Sequence, residues 1–124
     1  MLLRQLTVRI ALAITLTALL VGCSGSGGVA PPRDVVEEAV GHYASGFEVS
    51  ALVPCGSSER WWTTGIPDAE YRAIAGNMDY VDVYVRVRGI QSGPGSYGHM
   101  GAYERQFRVT EILELRAATA DDCR

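Results

Sequence analysis

The sequence predicts a mainly β domain that closes into a small antiparallel barrel carrying one short helix. Three observations carry this expectation. Val81, Val83, Val85 and Val87 alternate strictly with Asp82, Tyr84, Arg86 and Arg88. Other runs rich in β-branched and aromatic residues recur between turn signals. A single helical segment interrupts them, and a span of strands this short fits one closed sheet.

Taken in order, Asp34-Val35-Val36-Glu37 has the spacing of a capping box that would open a helix. The β-branched Val35, Val36 and Val40, and the near period-two pattern through Phe47, Val49, Ala51 and Val53, favour instead one long bent strand from about Val36 to Val53. Gly41 and Gly46 interrupt it; glycine within a strand marks a bulge or sharp coil, which lets one strand serve both halves of a barrel. Pro54-Cys55-Gly56-Ser57-Ser58 is turn chemistry, and a second strand follows over Glu59–Thr64, ended by Gly65. Ile66–Gly76 reads as a short helix that starts at Pro67 or Asp68 and stops at Gly76. Asp79–Arg88 is the clearest strand, with one buried and one wet face. A glycine-rich loop covers Gly89–Gly101, and Tyr103–Arg116 is the last strand, with a phase change at Ile112-Leu113 that predicts a bulge or a strand end. An OB-like barrel satisfies this order of elements.

The amino-terminal segment gives an address. Arg4 and Arg9 precede an uncharged run, Ile10–Val21, that ends in small residues, the layout of a secretory signal over residues 1–22. As a helix the run would reach about 18 Å, short of the ~30 Å hydrocarbon core, so cleavage is expected rather than a permanent span. Leu20-Val21-Gly22-Cys23 resembles the lipobox of bacterial lipoproteins, which implies a cut before Cys23 and its acylation, palmitate included. Ser24 in place of Asp implies, by the same resemblance, sorting to the outer membrane of a Gram-negative host, facing the periplasm. Several acyl chains at ~0.8 kcal/mol per buried methylene make a stable anchor. Residues 23–33, Gly/Ser-rich and then Pro-rich, read as a solvated tether, which leaves 34–124 as the folded domain.

Composition narrows the function. The 124 residues contain no lysine, which removes Schiff-base chemistry and lysine-dependent phosphate loops. After loss of Arg4 and Arg9, nine arginines face fourteen acids, a net charge of −5, and such a domain is a poor match for a nucleic-acid backbone. Gly93-Pro94-Gly95-Ser96-Tyr97-Gly98 satisfies G-x-G-x-x-G, but no helix is expected to begin within it, so a dinucleotide site is not expected. Neither a G-x-S-x-G elbow nor an H-E-x-x-H helix organises Ser58 or His99, so an envelope hydrolase is the weakest alternative and no enzyme activity is expected. No cofactor is expected either.

The segments Gly46–Ser50, Val53–Ser57, Arg60-Trp61-Trp62, Gly98–Arg105 and Val109–Arg116 resemble those of small bacterial envelope lipoproteins related to the OB-fold domain of NlpE. The resemblance spans most of residues 41–116 and implies an anchored OB-like module of the envelope. It also motivates an alternative, a copper- or metal-responsive protein using His42, His99 and Met100, with Met78 as a further soft donor. No local spacing supports that set, and adjacent strand residues such as His99 and Met100 would point to opposite faces.

Two cysteines remain after Cys23. In an oxidising compartment Cys55 and Cys123 are expected to form a disulfide, whereas a reactive pair would more naturally be spaced C-x-x-C. The interaction candidates are Trp61, Trp62 and Tyr84. As neighbours on a strand, Trp61 and Trp62 face opposite ways, so one enters the core and the other reaches a surface able to meet a protein or glycan, unless loops cover both.

Overall fold

The computed structural model describes residues 34–124; the predicted signal (1–22), the lipidation site Cys23 and the tether up to residue 33 lie outside the described residues. Five strands close a barrel in the order β1-β2-β3-β5-β4, with β4 returning to β1. The strands are β1 (Val36–Gly46), β2 (Val49–Pro54), β3 (Trp61–Thr64), β4 (Val83–Gln91) and β5 (Gln106–Ala117), and the helix α1 (Asp68–Ala75) lies between β3 and β4. Every pairing is antiparallel except β3 with β5, which run parallel and complete the ring. Strand order, closure and helix position are those of a small OB-like barrel. No helix among the described residues is long and apolar enough to cross a membrane.

β1 serves both halves, as its glycines predict. Val36–Tyr43 pairs with β4, and Gly41–Gly46 pairs with β2. At Gly41, where the two pairings overlap, a Cβ would collide with the Val53 carbonyl, so only glycine lets the strands approach this closely. The expected single strand from Val36 to Val53 is corrected: β1 ends at Gly46, and the chain reverses at Phe47-Glu48 with Glu48 at φ 58°. The reversal is held from outside the hairpin. Tyr80 N–H donates to the Ser45 carbonyl (2.9 Å) and Tyr80 O–H to the Phe47 carbonyl (3.2 Å).

Other boundaries move for physical reasons. β3 begins at Trp61, not Glu59. β4 begins at Val83 because the buried Tyr71 hydroxyl takes both the N–H (3.1 Å) and the carbonyl (2.9 Å) of Val81. β4 continues through Gly89 to Gln91, where a Cβ on Gly89 would strike the Arg108 carbonyl. The phase change in β5 is a bulge: the pairing steps from Arg86↔Glu114 to Val87↔Ile112, leaving Leu113 unmatched, and a second shift leaves Thr110 unmatched.

The core lies inside the barrel. Leu52, Val83, Val85, Val87 and Phe107 are fully covered, and α1 closes one end by inserting Tyr71, whose ring meets Tyr43 edge-on at 5.6 Å. α1 carries Asp68 and Glu70 in its first turn and ends at Gly76, whose N–H returns to the Arg72 carbonyl.

Candidate functional site

Trp61 and Trp62 do face opposite ways. Trp61 packs against the core, its ring stacked on Phe107 at 5.7 Å and its indole N–H donated to Glu59 (3.1 Å). Trp62 points outward and is half-buried, because the β4–β5 loop folds over it. Tyr103 sits 5.4 Å from its ring, and Gly98, at φ 69°, lies against it so closely that a Cβ would collide with the indole. Trp62 is therefore partly covered by the chain's own loop, and its cross-strand partner Ala51 is 3% exposed. The loop is pinned by paired Tyr97 and Tyr103 and reaches the β1–β2 turn, where His99 Nε2 is 3.1 Å from Glu48.

Tyr84, the third predicted contact residue, belongs to a different cluster. The Arg116 guanidinium lies 3.8 Å from its ring centroid, and His42 approaches edge-on at 6.5 Å. Arg116 also donates to Glu114 (2.9 Å) and to Asp122 (2.7 Å). The Asp122 side chain is 2% exposed; it further accepts from the Thr119 N–H (2.6 Å) and hydroxyl (3.0 Å), and His42 Nε2 lies 3.4 Å away. The adjoining Cys123 is bonded to Cys55, with Cα atoms 5.0 Å apart, so a covalent and an ionic contact hold the carboxyl-terminal tail to the barrel wall. The disulfide is legible in the sequence; Asp122 is less so, although the Thr119-Ala120-Asp121-Asp122 spacing is a local signal for a side chain turned back on its own backbone.

The Arg116 hydrogen bond, with those from Thr119, holds the Asp122 carboxyl well below the usual carboxylate range. A depressed carboxylate stabilises the fold above its unfolded pKa of about 3.9 and loses that contribution as pH falls through the folded value. Asp122→Asn is accordingly expected to be less stable than the wild type at neutral pH. The gap should narrow only below about pH 4, and urea midpoints across a pH series check it.

The metal-ligand candidates do not converge. His42 faces Asp122, His99 faces Glu48, and Met100 and Met78 are 90% and 65% exposed on separate loops. Among the described residues no group of three His, Cys, Asp or Glu side chains is placed to hold a metal ion. The G-x-G-x-x-G run is followed only by a three-residue 3-10 turn, His99–Gly101, not by a helix that could meet a pyrophosphate.

Three exposed large apolar side chains lie on loops that meet elsewhere. Phe47 (74%) forms the β1–β2 turn, Tyr80 (55%) bonds to its carbonyl, and Met100 (90%) follows the His99 that pairs with Glu48. None was singled out as a contact residue from sequence except Met100, and that as a metal donor. Three segments far apart in the chain thus meet at one end of β1. No family model matches the chain, and neither a curated protein nor a solved structure does.

Proposed function

We propose that this protein is a lipid-anchored, non-catalytic OB-like binding module of the cell envelope, held in the membrane through acylated Cys23. In a Gram-negative host it sits in the outer membrane and faces the periplasm. The observation that carries the binding reading is the loop cluster of Phe47, Tyr80 and Met100, because exposed apolar side chains gathered on loops mark an interaction surface more often than scattered ones do.

Its position suits an anchored domain. The tether joins at Asp34, whereas the cluster sits beyond Gly46 at the other end of β1. The attachment point and the cluster therefore lie at opposite ends of β1, which leaves the cluster free to meet a partner while the tether keeps the domain at the membrane. The carboxylates of Glu48, Asp79 and Asp82 lie on the same loops, with Arg72 as the cation paired to Asp79 (2.7 Å). The partner that fits is an envelope protein presenting an apolar side chain within a basic rim.

A photo-crosslinking residue at Phe47 or at Met100, compared with one at Val35 beside the tether, tests this in intact envelopes. One discrete protein adduct is expected from the two loop positions and none from Val35, with Asp82→Arg reducing the yield. Equal labelling from all three positions would sink the reading.

A further inference from the structure

We propose a second site, on a different surface, that binds a neutral carbohydrate. A groove of about 390 Å³ opens where β3 begins and the β4–β5 loop ends, lined by Glu59, Arg60, Trp61, Tyr103, Glu104 and Arg105. Its size is within the range of small-molecule sites, and its walls combine aromatic surface with a few polar groups.

The aromatic wall is preorganised. Trp61 is fixed by its stack on Phe107 and by the bond from its indole N–H to Glu59, so its plane is set before any ligand arrives. Tyr103 is 8% exposed and braced between the Trp62 ring and the Arg60 guanidinium, which lies 5.8 Å from its centroid. Arg105 is tied to β3 through its carbonyl, which accepts the Trp62 N–H at 2.9 Å.

The polar groups select the ligand class. Arg60, Glu104 and Arg105 make no ion pair among the described residues, and the one side-chain hydrogen bond of Arg105 is a 3.5 Å contact to the Ser92 carbonyl. Two guanidiniums supply only donors and two carboxylates only acceptors, and their charges cancel. A phosphate or carboxylate ligand would meet Glu59 and Glu104 as like charges. A purely apolar ligand would cover four charged groups without giving them partners. Sugar hydroxyls both donate and accept, and the C–H face of a pyranose ring stacks on an indole, so a neutral saccharide answers every group in the groove.

The test uses the full chain in a polyoxyethylene detergent, whose headgroup carries no sugar. Tryptophan fluorescence and titration calorimetry follow the addition of N-acetylchitotriose and maltotriose, with trigalacturonate and inorganic phosphate as charged controls. A saturable response to at least one neutral trisaccharide is expected, with a dissociation constant at or below about 1 mM. Arg60→Ala and Glu104→Ala are each expected to weaken it about tenfold. The thermal midpoint stays unchanged in Glu104→Ala, whose exposed side chain makes no ion pair among the described residues, and falls by only a few degrees in Arg60→Ala, which loses the contact with Tyr103. No saturable response to either neutral probe up to about 10 mM, an equal response in both variants, or a response to the charged controls alone would overturn the proposal. These variants leave Phe47 and Met100 in place, so failure here is separable from failure of the protein-docking reading.

Discussion

Replacing Cys55 and Cys123 together by serine is expected to lower unfolding stability by about 4 kcal/mol, the chain-entropy value for cross-linking residues this far apart. The bond joins positions separated by 68 residues, from the turn after β2 to the next-to-last residue of the chain. Its loss frees the unfolded chain of a long constraint. It also removes the covalent half of the attachment that holds the tail, leaving Asp122 and its partners to do so alone. Total stability of a domain this size is only about 5–15 kcal/mol, so the double variant should unfold at much lower urea or temperature. Urea denaturation of oxidised wild type and double variant measures the effect, and a change below about 1 kcal/mol would mean that the tail contributes little to the native constraint.

Phe107→Ala is expected to cost about 3–5 kcal/mol, through lost transfer free energy and the cavity left behind. Phe107 is 0% exposed and lies on β5 beside the parallel pairing that closes the barrel, with Trp61 stacked on it and the bare backbone of Gly89 against its ring edge. Collapse around the vacancy is limited because Gly89 is held by its pairing with Val109. A domain of this length loses about 4–8 °C per kcal/mol, so calorimetry should show a fall of more than about 10 °C. The same variant should release Trp61 from its stack and change its fluorescence, which a purely global effect on stability would not do below the transition.

What could be read from the sequence was local. The valine alternation placed Val83, Val85 and Val87 inside the barrel, where all three are 0% exposed, and Gly41 marked the crossing point of β1. The phase change at Ile112-Leu113 marked a true bulge. What could not be read depended on residues distant in sequence. Phe47-Glu48 carries no turn chemistry, and its reversal is imposed by Tyr80. The parallel pairing of β3 and β5 leaves no periodic trace in either strand. The facing of Trp61 and Trp62 followed from strand geometry, but the cover over Trp62 follows from the path of a loop fixed by Gly98 and the Tyr97–Tyr103 pair. For the same reason the exposed cluster was missed: Phe47 falls within a period-two pattern that marks it as a strand residue until the hairpin is known.

The pH behaviour of the tail and the stability of the core concern the folded domain alone, whereas the proposed function requires that domain to be tied to a membrane by Cys23. Metabolic labelling with palmitate, followed by detergent-phase partitioning of the wild type and Cys23→Ala, tests this most directly. Label and detergent-phase recovery are expected for the wild type, and neither for Cys23→Ala. An unlabelled wild type, or a Cys23→Ala protein that partitions like the wild type, would contradict lipid anchoring.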